Sequence, residues 1–256
     1  MIYKPTDPSV AAPLFGGCTD TSIFSCLQGV LGEVYTDHPE TPSSAMAIIN
    51  VFAFFGGKPN EEIARFVPSS YSSDFVFAVP QNEEWEDMLV NAWGEKASRL
   101  TRYAIKKEPD VFDPAKLRVL SSKLPDGCVL QLIDKALYEQ CLQNEWSKDF
   151  VCTYPDYETF SAIGLGVVAV SDGEIIAGAS SFSSYDKGIE IEIATREDHR
   201  RKGLATACGA RLILECLQKN LYPSWDAANT MSVGLSQKLG YHFSHEYTAF
   251  KIYPYR

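Results

Sequence analysis

"IEIEIATREDHRRKGLATACGA", residues 189–210, decides the fold. Its opening residues alternate, with Ile189, Ile191 and Ile193 on one face and Glu190 and Glu192 on the other, the period of a half-buried β-strand. From Gly203 onward the spacing changes: Ala207, Ala210, Ile213, Leu214 and Leu217 recur as one side of a buried helix. Between strand and helix lie Arg200, Arg201, Lys202 and Gly203, a concentration of positive charge in a chain of formal net charge -10. A helix that starts near Gly203 leaves its first four N–H groups without intrahelical partners, and its aligned peptide dipoles place about half a positive charge there. Gly203 has no side chain to keep an anion from the backbone, Ala205 is nearly as small, and Thr206 adds a hydroxyl. The dipole is worth only ~0.3–1 kcal/mol at an exposed site and ~2 in a partly buried one. Useful affinity therefore needs several N–H bonds to a single ligand, and the expected ligand carries a diphosphate.

Working outward, residues 157–195 contain apolar runs broken by an Asp172-Gly173 turn, which together with the run at 189 predict an antiparallel meander. "YPSWDAA" (222–228) reads as a further strand, "NTMSVGLSQKLG" (229–240) as a helix stopped by Gly240, and "YHFSHEYTAFKIY" (241–253) as a closing hairpin. Upstream, "TSIFSCLQGVLGEV" (21–34) has helical spacing, and "SSAMAIINVFAFFGG" (43–57) and "DFVFAVP" (74–80) read as strands. "NEEWEDMLVNAWG" (82–94) is a helix capped by Asn82, and "SRLTRYAIKK" (98–107) is a strand. "EPDVFDPAKLRVLSSKLPDG" (108–127), with three prolines, reads as a connector, which puts a domain boundary near residue 115: an N-terminal α/β domain over 1–115 and a second domain over 116–256.

Composition removes several function classes. With 45% hydrophobic and 22% charged residues the chain is ordinary globular protein, and its acidity argues against nucleic acid or anionic membrane as a partner. The run "AMAIINVFAFF" (45–55) is shorter than the ~20 residues of a membrane span, and the start "MIYKPTDPSV" has no signal-peptide pattern, so a soluble, cytoplasmic protein is expected. Seven cysteines without paired spacing read as buried thiols, and four histidines show no metal-ligand spacing, so no metal is expected. Two other phosphate motifs fail. No Walker A sequence surrounds Gly203, and "GLGVVA" (164–169) leads into a strand and turn rather than the helix that a dinucleotide fingerprint requires.

At this point the residues carry a resemblance. "RRKGLA", Arg200 to Ala205, resembles the R/Q-x-x-G-x-G/A signature of the GNAT superfamily of acyl-CoA-dependent acetyltransferases, and "WDAANTMSVGLSQKLGY", Trp225 to Tyr241, is similar to its fifth strand, pantetheine-binding asparagine and K-x-G-Y/F ending. The resemblance covers about residues 125–253 and is nearest to the bacterial "GNAT acetyltransferase" group with an extra N-terminal half. It implies an α+β fold with a mixed, mostly antiparallel sheet and flanking helices in the C-terminal half. It also implies acetyl-CoA as cosubstrate, with the pantetheine arm against the backbone of Ile193 and Thr195 and near Asn229 and Ser232. The pyrophosphate would rest on Arg201, Lys202, Gly203, Leu204, Ala205 and Thr206, with Arg200 meeting the outer phosphate. Glu190 or Glu192 stands where the family places a base. One position departs from the pattern: Ser236 replaces the tyrosine that serves as general acid, leaving Tyr241, Tyr247 or no side chain for that role.

The N-terminal half parallels the C-terminal one, with Asn82 and Gly94 in the places of Asn229 and Gly240, but "FFGGKPNEEIA" (54–64) lacks the basic glycine turn. It reads either as a degenerate GNAT-like domain that holds no CoA or as an unrelated α/β domain. The expected function is acetyl transfer from acetyl-CoA to an amine of a small molecule, amino acid or peptide, with homo-oligomerisation compatible. The alternative is a non-catalytic acyl-CoA-binding sensor or interaction module.

Overall fold

The computed structural model describes residues 1–18 and 20–255. Along the first part of the chain run a 3-10 helix (Pro8–Phe15), α1 (Ser22–Leu27), β1 (Glu33–Thr36), β2 (Ser44–Ile49), β3 (Phe52–Gly57), α2 (Glu61–Ala64), β4 (Val76–Pro80), α3 (Glu83–Trp93) and β5 (Ala97–Ile105). Then follow α4 (Pro114–Ser121), β6 (Cys128–Leu132), α5 (Lys135–Leu142), α6 (Tyr157–Ile163), β7 (Gly166–Ser171), β8 (Glu174–Tyr185) and β9 (Gly188–Thr195). The chain closes with α7 (Leu204–Gln218), β10 (Tyr222–Ser224), β11 (Asp226–Ala227), α8 (Thr230–Leu239) and β12 (Phe243–Ile252). By contact these residues form two units, Met1–Arg102 with Glu246–Arg256, and Tyr103–His245. The fold is mixed α+β, with mostly antiparallel sheets and flanking helices, as the sequence leads one to expect.

In the first unit β1, β2 and β3 form an antiparallel meander, β4 lies parallel to β3, and the end of β12 lies antiparallel to β4. Helices α2 and α3 bury Ile63, Trp85 and Leu89 against Met46, Phe55, Phe250 and Ile252. The apolar stretch 43–57, expected as one strand, is two: it folds back at Asn50, whose φ of 48° is left-handed, so that Ile49 pairs with Phe52. Uniform hydrophobicity hid a turn made by a single polar residue that tolerates that conformation.

In the second unit the sheet order is β10-β9-β8-β7-β6. Neighbours from β6 to β9 are antiparallel, and β10 is parallel to β9. Helix α7 lies across β7, β8 and β9, burying Ala207, Cys208, Ala210, Leu212 and Ile213. It approaches closely because Gly209 is bare, a Cβ there falling 2.9 Å from Leu239 Cδ1 and 3.3 Å from Ile193 Cδ1. Ile189 and Ile191 are buried under this helix and Ile193 is partly so, as the alternation required.

Further stretches depart from the sequence reading: of residues 21–34 only Ser22–Leu27 is helix, and β1 begins at Glu33. Residues 157–163 are helix, started by the Asp156 carboxylate, which accepts from Thr159 N at 2.7 Å. The supposed connector contains α4, which Asp113 caps through Ala115 N and Lys116 N and which has Pro114 in its first turn. Residues 222–228 divide at Trp225 into β10, which joins β9, and β11, which pairs with Tyr103 and Ala104 of β5. Residues 241–253, expected as a closing hairpin, hold one long strand, Phe243–Ile252. Because α4 packs on α7 with Leu117 fully buried, Leu117→Ala removes core contacts, and urea unfolding is expected to show a loss of about 2–5 kcal/mol. A loss under about 0.5 kcal/mol would return this segment to the status of connector.

Candidate functional site

The site begins where two parallel strands part. β10 pairs with β9 over three rungs only, Tyr222 with Gly188, Pro223 with Ile189 and Ser224 with Glu190, and then leaves at Trp225. β9 continues to Thr195, held on its other side by β8. Main-chain groups of alternate residues face opposite edges of a strand. Arg196 N donates to Ile176 O across β8 at 3.0 Å, and Lys187 O accepts from Tyr222 N on the β10 side at 2.8 Å. Even-numbered residues of β9 therefore face β8, and Ile191, Ile193 and Thr195 turn their N–H and C=O groups toward the edge that β10 has left. Among the described residues of this unit no strand pairs there. An extended ligand with amides of its own fits such an edge.

The edge leads to the start of α7. Arg201 and Gly203 are both left-handed, with φ of 63° and 85°, and no side chain caps the helix. Helices α3, α4, α5, α6 and α8 each spend an Asn or Asp side chain on their own first-turn N–H groups. At α7 the N–H groups of Leu204, Ala205 and Thr206 have no such cap, and no acidic residue stands in the first turn. Arg200, Arg201 and Lys202 are exposed beside them. The neighbouring Asp198 is neutralised: Arg196 Nε and Nη2 bind its carboxylate at 2.9 and 3.2 Å, and His199 Nδ1 lies 2.8 Å away. The Arg196 and then the His199 hydrogen bond hold that carboxyl well below the usual range, so it stays paired at physiological pH.

One cation was overlooked in the sequence. Lys238 on α8 reaches over the first turn of α7, Nζ to Thr206 Oγ1 at 3.4 Å. Its only sequence signal is membership of the K-x-G-Y ending, because the proximity of two helix ends is a tertiary fact. Asn229 caps α8 through Oδ1, accepting from Ser232 N at 3.0 Å, and Ser232 Oγ accepts from Trp225 Nε1 at 3.1 Å. Asn229 and Ser232 thus stand at the end of the short strand that turns away from β9, and the amide NH2 of Asn229 is on an exposed residue.

The candidate acids and bases are sorted by burial. Glu190 sits at the last β9–β10 rung with 5% of its surface exposed, and Glu192, one turn of the alternation further, is half-buried. Burial, and after it the charge of Glu190, raise the phenol pKa of Tyr185; burial, followed by Cys216, Tyr222 and only then Glu190, raises that of Tyr241; and Tyr222 is pushed up to about 12, chiefly by burial. Tyr241 does not stand ready as an acid. It is 2% exposed, packs on Trp225 and Phe112, and donates to Pro223 O at 2.6 Å, so its proton fixes β10 to the core. Ser236, at the position of the family tyrosine, is fully buried and donates to Val233 O within α8 at 2.9 Å. Tyr247 belongs to the first unit, where its hydroxyl accepts from Arg102 Nε at 3.3 Å.

Among its described residues the first unit shows neither parted parallel strands nor an uncapped helix start after them. Its β3–β4 ladder runs from Phe52–Phe77 to Phe55–Pro80 and is extended by Gln81 N donating to Phe55 O, so the strands stay joined. The short α2 is capped by its own Asn60, and Glu61 and Glu62 occupy its first turn. Among the described residues no cluster of three or more His, Cys, Asp or Glu could hold a metal, the cysteines form no disulfide, and no helix is long and apolar enough to cross a membrane.

A sequence model of the family described as GNAT acetyltransferase matches residues 12–250. The chain belongs to that family, and its activity class is acetyl transfer. It is 24% identical over 242 residues, spanning 90% of this chain and 89% of the other, to an uncharacterized N-acetyltransferase of Bacillus subtilis (strain 168), YdfB. Among solved structures, a GCN5-related N-acetyltransferase-like protein from Streptococcus suis 89/1591 is 42% identical with a TM-score of 0.89, covering 95% of this chain and 97% of that one. A tandem GNAT protein from the clavulanic acid biosynthesis pathway, 12% identical with a TM-score of 0.52 over 87% of this chain and 82% of its own, shares the fold.

Tyr241 supplies a test of this sorting. Tyr241→Phe leaves Pro223 O without its buried donor and is expected to lower stability by about 1–3 kcal/mol in denaturant titration. The raised phenol pKa also has a sign. Above pH ~10 the unfolded phenol has lost a proton that the folded one keeps, so wild-type stability falls as pH rises, and the phenylalanine variant is expected to show a shallower fall.

Proposed function

We propose that this protein transfers the acetyl group of acetyl-CoA to the amine of a small molecule, amino acid or peptide, by direct attack of the amine on the thioester. The single observation that supports this most is the continuity of two features in the second unit: the β9 edge left by β10, and the uncapped, left-handed start of α7 that follows it. The edge suits the two amides of a pantetheine arm at Ile193 and Thr195. The first turn of α7 suits a pyrophosphate, with N–H groups from Arg201 to Thr206, the charges of Arg200, Arg201 and Lys202, and Lys238 beside Thr206. The cosubstrate supplies an activated thioester. The residues of the chain then have three tasks: to hold the acyl group still, to polarise its carbonyl and to take the amine proton.

For the proton, Glu190 is the stronger candidate. It is buried, 5% exposed, and stands at the fork of the strands; Glu192, half-buried two positions on, is the alternative. The thiolate has no acid at the family position, because the Ser236 hydroxyl is turned back into α8. Tyr247 enters as the remaining tyrosine, tested by Tyr247→Phe: a fall of about a hundredfold in kcat with unchanged acetyl-CoA affinity identifies it as the acid, and full activity means that the thiolate leaves unprotonated.

The first unit is read as a degenerate GNAT-like module. It repeats the order meander, helix, parallel strand, asparagine-capped helix, strand, yet its strands stay joined and its helix start is capped and acidic. The proposed location is cytoplasmic, and the acidic composition supports acceptors other than nucleic acid. Ser236 also favours a second reading, a non-catalytic acyl-CoA-binding module. Thiol release from acetyl-CoA across a set of amines separates the two.

Binding is tested at Gly203. Gly203→Glu is expected to abolish acetyl-CoA binding in calorimetry, whereas Gly203→Asn, which tolerates the same positive φ, should retain most of it. Equal affinities for the wild type and the glutamate variant would remove the cradle from this site. Arg200→Ala should weaken CoA more than dephospho-CoA; equal losses would assign the outer phosphate to Arg201 or Lys202.

A further inference from the structure

β6, at the outer edge of the five-stranded sheet, lacks the usual protections of an edge strand. Its residues, Cys128, Val129, Leu130, Gln131 and Leu132, include no charge and no proline, and its five rungs with β7 run without a bulge. Val129 is 51% and Leu132 46% exposed. Ile133 N donates inward to Gly166 O at 2.9 Å, so by alternation Val129 and Gln131 also serve β7, and Leu130 and Leu132 turn their main-chain groups outward. No other strand pairs with that edge among the described residues.

We propose that a second copy of this chain pairs here, β6 against β6 in antiparallel orientation about a two-fold axis, joining the sheets of the two copies. Symmetry and charge select the occupant and the register. An antiparallel strand paired with itself must place residues of the same face opposite each other, and two registers pair the outward groups of both Leu130 and Leu132 with residues that lie within the other copy's β6. Centred on Leu130, the pairing sets Asp126 opposite Asp134 of the other copy, a like-charge contact in a chain that already carries a net charge of -10. Centred on Gln131, it sets Leu130 opposite Leu132 in both directions, forming four main-chain hydrogen bonds and two leucine pairs, with no like charges opposed. The second register is the one proposed. A copy of this chain brings the same uncharged strand in the required direction, whereas a charged partner strand would face Val129 and Leu132.

The register makes Gln131 its own neighbour across the axis, in a non-hydrogen-bonded pair with Cα atoms about 4.5 Å apart. That lies within the about 4.4–6.8 Å range of disulfides. Gln131→Cys is therefore expected to form a disulfide-linked dimer under mild oxidation, in non-reducing electrophoresis, where the wild type with its own seven cysteines does not. Leu132→Pro removes an outward N–H while leaving the donors that serve β7, so it should raise the dimer dissociation constant at least tenfold in analytical ultracentrifugation with an unchanged thermal melt. Leu132→Lys gives the same readout should the proline variant fail to fold. A wild type that stays monomeric at ~100 μM, a dimer indifferent to these changes, or cross-linking through Leu130→Cys in place of Gln131→Cys would each overturn the proposal.

Discussion

The cosubstrate site proposed in the second unit depends on an interrupted ladder. β9 and β10 are parallel strands that could have paired along their whole length, since β9 extends five residues beyond the last rung. Instead the chain turns at Trp225 and its next two residues pair with β5. The turn is held by buried groups: Trp225 is 2% exposed, its indole N–H bonds Ser232, and Tyr241 bonds the carbonyl of Pro223 just before it. Such a fork leaves the outward main-chain groups of Ile193 and Thr195 without a strand partner among the described residues of this unit, and a ligand with amides suits such an edge.

The two units show how little the order of elements says about function. Both have a meander, a helix, a strand parallel to the last strand of the meander, and a helix capped by asparagine. In the first, the parallel strands remain joined and the intervening helix is only four residues long, capped by Asn60 and preceded by no basic residue pair. In the second, the helix has fifteen residues, no cap and a left-handed approach. A helix start that is satisfied by its own side chain has nothing left for a phosphate.

Burial redistributes the polar groups that looked interchangeable in one dimension. Glu190 and Glu192 are two positions apart on one strand, yet one is buried at the fork and the other half-exposed. Tyr241 and Tyr247 both follow α8, but the first is sealed into the core and the second lies in the other unit. Lys238 gained its place only because α8 ends over the beginning of α7.

The sequence by itself determined the local elements whose signals are local. The Ile–Glu alternation fixed β9, Asn82 and Asn229 fixed the starts of α3 and α8, and the glycine after three basic residues fixed the bare beginning of α7. Each depends on a residue's own backbone preference or on neighbours within one turn. The tertiary structure decided where a continuous apolar run folds back, as at Asn50, which strand receives a short segment, as at Trp225, and which hydroxyl spends its proton on a carbonyl, as at Tyr241. Those outcomes join residues that are distant in the chain, and periodicity contains no information about the partner on the other side of a contact.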